Sequence, residues 1–182
     1  MKGNSRIITN RYESPCGTLM LGSFGGRLCL CDWQVERHRG HVERRLRRML
    51  GAELEEGTSQ VIDKATTQLD EYFAGARREF DVPLLFAGTD FQKKVWAALL
   101  TIPYGQTISY GEMARQIGMP AAVRAVANAN GANAISIFAP CHRVIGSDRK
   151  LTGYAGGLAA KTFLLQMERA MDGEALVPPR TL

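Results

Sequence analysis

Residues 109–133 read SYGEMARQIGMPAAVRAVANANGAN, and this stretch decides the fold of the second half of the chain. Ser109-Tyr110-Gly111-Glu112 has the spacing of a capping box, in which a serine oxygen and a glutamate three residues on satisfy the first free amides of a helix. That helix is predicted to run to about Gly118, a glycine suited to the left-handed residue that ends helices. Pro120 suits the first turn of a second helix, reaching about Asn130. Two short helices joined by a turn of about three or four residues make a helix-turn-helix unit. On the second helix Met119, Ala122, Val123 and Val126 recur at i, i+3, i+4 and i+7, a stripe that seats a helix on a core. The opposite face holds Ala121, Ala125 and Asn128 around Arg124. One long cation among small side chains suits close approach to a nucleic-acid groove, and it equally suits a buried alanine-rich helix with a salt-bridged arginine.

Working outward, Asn130-Gly131-Ala132-Asn133 ends the helix with residues that tolerate left-handed conformations. An apolar run, Ile135-Ser136-Ile137-Phe138-Ala139, then leads into Pro140-Cys141-His142-Arg143-Val144-Ile145. A thiolate is the nucleophilic form of cysteine, and a neighbouring imidazole or cation favours it. Adjacency alone proves little, because consecutive residues in a strand point to opposite faces and an isolated Cys-His pair is commonly incidental. Upstream, residues 91–101 read as a helix with Phe91, Val95, Ala98 and Leu99 inward, stopped by Pro103-Tyr104-Gly105.

The first half has a different character. Residues 6–12, 18–24 and 27–33 are apolar-rich runs separated by Ser14-Pro15-Cys16-Gly17 and by Gly25-Gly26, a pair suited to a two-residue hairpin. In the third run Leu28 and Leu30 share one face, and Cys29 and Cys31 the other. Residues 38–50 form a basic helix with Val42, Leu46, Met49 and Leu50 at helical spacing and Arg44, Arg45, Arg47 and Arg48 as a solvated face. Val61, Ile62, Ala65, Leu69, Tyr72 and Phe73 mark another helix over residues 61–74, and residues 79–85 read as extended. The boundary falls near residues 86–88, giving domains 1–87 and 88–182.

The chain has 182 residues, 45% hydrophobic and 23% charged, which excludes disorder, collagen and coiled coil. No apolar run approaches the roughly 20 residues that span a bilayer. Residues 1–10 are polar where a signal peptide is apolar, so a cytoplasmic location without membrane association is expected. The net charge of +5 divides unevenly: residues 1–85 hold 13 Lys+Arg and 12 Asp+Glu, residues 86–182 hold 10 and 6. A surplus of this size permits a polyanionic partner without requiring one. Four cysteines, at 16, 29, 31 and 141, are expected reduced. Cys16, Cys29, Cys31, His38 and His41 are of the types zinc takes, but their spacing fits no recognised finger and small buried cysteines pack equally well, so no metal or other cofactor is expected.

Taken in order, Gly88-Thr89-Asp90-Phe91-Gln92, Val95-Trp96, Ile102-Pro103-Tyr104-Gly105, Ser109-Tyr110, Arg124-Ala125-Val126, residues 128–133, Pro140 to Ile145, Gly153-Tyr154-Ala155-Gly156-Gly157 and residues 161–168 resemble the O6-alkylguanine-DNA alkyltransferases. The first half is similar only in its hairpin around Ser14-Pro15 and Gly17. The resemblance implies a mixed α/β (α+β) fold: a small sheet-and-helix domain of supporting role, then a helical, winged-helix-like DNA-binding domain. It implies that Cys141 accepts an alkyl group from O6-alkylguanine in double-stranded DNA, with O4-alkylthymine as the further candidate substrate. His142 would take the thiol proton through an ordered water, Glu168 would orient His142, Tyr110 would meet charge on the leaving guanine, and Asn133 would support the turn behind the cysteine. The carbonyls of Cys141 and Val144 would accept from the guanine amino group, with Tyr154, Ala155 and Gly156 walling the base pocket. Ala155 stands where some relatives have serine, which implies a changed pocket shape.

The target oxygen lies within the stacked duplex, so the nucleotide must be turned out to be reached. By the same resemblance Arg124 fills the vacated space while Ala121, Ala122, Ala125, Asn128 and Tyr110 line the DNA. The thioether formed has no leaving group, so a monomer that acts once is expected. Two other classes use related parts. A non-catalytic alkyltransferase-like binder would lack the acceptor cysteine, which Cys141 supplies here; a cysteine hydrolase would need an oxyanion hole, which no separate motif indicates.

Overall fold

A computed structural model describes residues 5–35, 40–148 and 153–171. The sequence expectations for His38 and the tail 178–182 lie outside them. The chain divides into two compact units, Met1–Gly88 and Thr89–Leu182.

The first unit is built on a four-stranded sheet. Strands β1 (Arg6–Ser14), β2 (Gly17–Phe24) and β3 (Arg27–Trp33) form an antiparallel meander. Gly25 and Gly26 turn the second hairpin with φ of 57° and 78°, angles that side chains with a Cβ resist. Helix α1 (His41–Leu50) buries Val42 and Leu46, and helix α2 (Gln60–Phe73) buries Ile62, Ala65, Leu69 and Tyr72. Of the four arginines read as a solvated face, Arg44, Arg47 and Arg48 are exposed. Arg45 is half-buried, and its charge acts on the buried Asp32 of β3, whose carboxyl burial pushes up to about 7.

Two features depart from the sequence expectations. A fourth strand, β4 (Glu53–Glu56), lies parallel to β1 at the sheet edge, giving the order β3-β2-β1-β4. Its sequence ELEE carries no apolar alternation, because only Leu54 is shielded; charged edge positions suit a strand whose outer side is unpaired. The extended segment expected over residues 79–85 touches the sheet at one bridge, Leu84 with Leu28, made by Leu28 N to Pro83 O and Leu85 N to Leu28 O, both 2.8 Å. Pro83 lacks a donor and so limits the pairing.

The second unit is mostly helical: α3 (Asp90–Leu99), α4 (Tyr110–Gln116), α5 (Val123–Gly131) and α6 (Leu158–Met171). Short strands β5 (Ile108–Ser109) and β6 (Val144–Ile145) pair in parallel. Thr89 and Gln92 close a capping box on α3, and Ser109 and Glu112 close one on α4. Val95, Trp96 and Leu99 of α3 are buried with Met113 and Ala114 of α4 and Val126 and Ala129 of α5. Trp96 Nε1 donates to Ala129 O at 2.8 Å, tying α3 to α5 through a buried indole.

The connection between α4 and α5 is longer than the expected turn. Gly118, with φ 76°, ends α4 in a Schellman arrangement: Gly118 N donates to Arg115 O at 3.0 Å and Met119 N to Ala114 O at 2.9 Å. Pro120 then occupies the second position of a β-turn closed by Ala122 N to Met119 O at 2.9 Å, so it does not start the helix. Consequently the expected core stripe is wrong. Met119 and Val123 are each 40% exposed and Ala122 is half-buried; only Val126 is buried, with Ala129 and Asn130 completing the inward face.

Candidate active site

Cys141 opens a single 3-10 turn, Cys141–Arg143, and the loop before it is shaped by unusually tight turns. Asn133 Nδ2 donates to Ala139 O at 2.9 Å while its Oδ1 accepts from Ile135 N at 3.0 Å, and Ala139 N returns to Ile135 O at 3.0 Å. Pro140, with φ −79° and ψ 65°, sits at the centre of an inverse γ-turn closed by Cys141 N to Ala139 O at 2.8 Å. The buried side chain of Asn133 therefore braces the loop that presents the thiol.

Behind the cysteine lies a buried cluster of charged side chains. His142 and Glu168 are both 0% exposed, with Nε2 2.8 Å from Oε1. Arg143 grips the same carboxylate with its planar fork, Nε to Oε2 at 3.0 Å and Nη2 to Oε1 at 2.8 Å. Its Nη1 donates to Ile102 O at 2.7 Å, and its guanidinium lies 5.7 Å from the centre of the Tyr104 ring. Gly105 N adds a donor to Glu168 Oε2 at 3.3 Å. The turn Ile102-Pro103-Tyr104-Gly105 is thus latched to α6 through Arg143.

These contacts fix protonation states. Burial alone would raise the Glu168 carboxyl, but the hydrogen bond of His142 and the hydrogen bonds and charge of Arg143 hold it well below the usual carboxylate range. Burial pushes the His142 imidazole down, with Glu168 opposing, so we assign it neutral. An ionised Glu168 can only accept, which places the imidazole proton on Nε2 and leaves Nδ1 as the bare acceptor. Nδ1 is buried and has no protein partner among the described residues. The result is a neutral base, oriented by a carboxylate, directly following the cysteine in sequence.

Burial pushes the Cys141 thiol up, opposed by the Asn133 side chain, the Lys161 charge and the Ser136 hydroxyl. Lys161 is a residue whose role sequence reasoning missed. It is wholly buried on α6, its Nζ donates to Val144 O at 2.8 Å, and burial lowers its ammonium to about 8. A lysine spaced with Leu164, Leu165 and Glu168 on the inward side of α6 was the available signal. Val144 O therefore already accepts one bond and keeps a second lone pair for a ligand, whereas Cys141 O accepts two, from Val144 N and from Asn130 Nδ2 at 3.4 Å.

The remaining candidates are spread around this cluster. Tyr110 is the first residue of α4 and half-buried. Tyr154, Ala155 and Gly156 are half-buried in a turn closed by Gly157 N to Tyr154 O at 2.9 Å. Arg124, Ala121, Ala125 and Asn128 are exposed, and with Met119, Pro120 and Ala122 they make a weakly charged face. Met119, Pro120, Ala121 and Ala122 line a shallow apolar cleft on it. No group of three His, Cys, Asp or Glu side chains among the described residues is arranged to hold a metal ion.

A buried thiol followed by a carboxylate-oriented imidazole thus shares one unit with a helix-turn-helix whose second helix is exposed. Residues 7–86 match the ribonuclease-like domain and residues 90–170 the DNA-binding domain of 6-O-methylguanine DNA methyltransferase. The crystal structure of the Mycobacterium tuberculosis O6-methylguanine methyltransferase superposes with a TM-score of 0.76 at 45% identity, over 92% of this chain and 94% of that one. The M. tuberculosis OGT in complex with DNA gives 0.76 at 46% identity, over 91% and 94%. The chain belongs to the 6-O-methylguanine DNA methyltransferase family. The methylated-DNA–protein-cysteine methyltransferase of Mycobacterium bovis is 61% identical over 106 residues, covering 58% of this chain and 64% of that protein. The match thus spans a little under two thirds of the relative's length.

Proposed function

We propose that the protein repairs DNA directly by moving a methyl or larger alkyl group from guanine O6 to Cys141, once per molecule. The buried Cys141, His142 and Glu168 constellation carries this reading. His142 Nδ1, through one water, takes the thiol proton; the thiolate sulfur bonds to the alkyl carbon as the carbon–oxygen bond breaks. The electron pair of that bond goes to guanine, which recovers a proton, with the Tyr110 hydroxyl meeting the developing charge. Asn133 holds the loop, the carbonyls of Cys141 and Val144 take the guanine amino group, and Tyr154, Ala155 and Gly156 bound the base. Thr89–Leu182 is the acting unit and Met1–Gly88 supports it.

The partner we propose is double-stranded DNA, approached by α5. No side chain caps the amino end of α5, which leaves its first amides available to phosphate. Arg124 supplies the reach into the stack and the small residues permit contact. The protein acts as a cytoplasmic monomer without a cofactor; none of the described helices is long and apolar enough to cross a membrane.

The exposed pair Met119 and Val123 provides a direct test of this surface. Changing both to serine should leave thermal stability within about 0.5 kcal/mol, as for other surface positions. Affinity for duplex DNA should fall about 10-fold, about 1.4 kcal/mol. Unchanged affinity in a fluorescence-anisotropy titration would remove this face from the interface.

A further inference from the structure

Helix α5 ends against the cysteine turn with a polar residue on its inward face. Asn130 is 5% exposed and buried in line with Val126 and Ala129. Its side-chain Nδ2 donates to Cys141 O at 3.4 Å, which fixes the sense of the amide, since an oxygen at that place would oppose the carbonyl. The other end, Oδ1, is buried and has no protein hydrogen-bond partner among the described residues. A buried acceptor without a donor costs stability, and an apolar side chain of similar size would avoid that cost. An asparagine here therefore suits a donor that arrives with a ligand.

The proposed substrate brings such a donor. The amino group at C2 of guanine carries two N–H bonds, and the reading above gives them to the carbonyls of Cys141 and Val144. Val144 O accepts from Lys161 Nζ and keeps one lone pair, but Cys141 O already accepts from Val144 N and from Asn130 Nδ2. Two donors thus meet one open carbonyl, and the bare Oδ1 belongs to the amide bonded to the occupied one. Burial of Oδ1 does not keep a base from it. Cys141 is itself 4% exposed, so an alkylated base reaches the sulfur only when the pocket parts, and Asn130 lies one hydrogen bond from that same residue.

We propose that Asn130 is a specificity-determining residue: its Oδ1 accepts one N–H of the guanine amino group while Val144 O accepts the other. The inference rests on the transfer reading and amends one contact in it, the N–H assigned to Cys141 O passing to the amide that Cys141 O holds. Cys141 O then orients the acceptor through Nδ2. Asn130 makes and breaks no covalent bond, so the transfer itself is unchanged. A purine without the amino group would leave both Oδ1 and the second lone pair of Val144 O buried without a donor, and a site that leaves polar groups unpaired rejects such an analogue.

Free O6-benzylguanine and O6-benzylhypoxanthine differ by that amino group alone, so the ratio of their second-order transfer rates reads its recognition. Wild-type protein should favour the guanine compound about 100-fold. In Asn130→Leu the ratio should shrink about 10-fold, with the remainder carried by Val144 O. Asn130→Asp, which keeps an acceptor at that point, should retain most of the preference. The Tm of Asn130→Leu is expected unchanged or higher, since the acceptor without a donor is gone. Equal rates for the two compounds in wild type would overturn the proposal. So would a wild-type ratio in Asn130→Leu, even with both rates lowered, because Asn130 would then only brace the Cys141 turn. If wild-type protein reacted with neither compound, the transfer reading would fail. Calorimetric titration of Cys141→Ala with the two purines would still decide the role of Asn130, tighter binding of the guanine compound supporting it and equal or absent binding overturning it.

Discussion

Glu168→Gln is expected to lose roughly 100-fold or more in transfer rate from free O6-benzylguanine, the range for disabling a positioned general base, and about 3–5 kcal/mol of stability. The carboxylate is wholly buried and serves His142, Arg143 and Gly105 together. A glutamine keeps the shape but removes the charge, leaving the buried Arg143 guanidinium uncompensated. It also permits either imidazole tautomer, so Nδ1 is no longer held as the acceptor. Rate and melting temperature should therefore fall together, and a wild-type rate would reduce the His142–Glu168 pair to a structural contact.

The same cluster sets the acid limb of stability. His142, lowered by burial, binds a proton less readily when folded, so stability begins to fall as pH drops below about 6.5. Glu168 is held below its unfolded value near 4.3, so its contribution is complete above that pH and is lost as pH falls toward the folded value. Glu168→Gln removes the second component. Its unfolding free energy should depend less on pH below about 4.3 than that of wild type, measurable by urea titration at several pH values.

Arg124→Ala is expected to lower repair of O6-methylguanine in duplex DNA roughly 100-fold, about 2.7 kcal/mol, while leaving transfer from free O6-benzylguanine within about twofold. Arg124 is exposed on α5, far from any role in the core, so its loss removes no buried contact. A free base needs no extrusion from a stack, whereas a paired nucleotide leaves a gap that costs unstacking energy. Equal losses on both substrates would contradict the stack-filling role, and no loss on either would remove Arg124 from the interface.

How much of this was legible in the sequence depended on whether the signal was local. The Ser109–Glu112 capping box and the Gly118 helix stop are read from a few adjacent residues, and the structure contains both. Pro120 was ambiguous, since its fixed φ suits a helix start and the second position of a β-turn alike; the Schellman bond of Met119 decides for the turn and exposes Val123. Strand β4 gave no signal because an acidic edge strand has no buried face to print a pattern. Glu168 reads as a surface residue on an amphipathic helix, and only the family resemblance placed it beside His142. The bonds of Arg143 to Ile102 and Glu168, and the burial of Lys161 and Ser136, depend on chain segments far apart in sequence, which no periodicity reports.

The most direct measurement of the central claim is intact-protein and peptide mass spectrometry after incubation with excess duplex carrying O6-methylguanine. One added methylene mass per protein is expected, confined to the Cys141 peptide, with repair that stops at one equivalent and no adduct in Cys141→Ala. Repair beyond one equivalent, or a methyl group on Cys16, Cys29 or Cys31 instead, would contradict it.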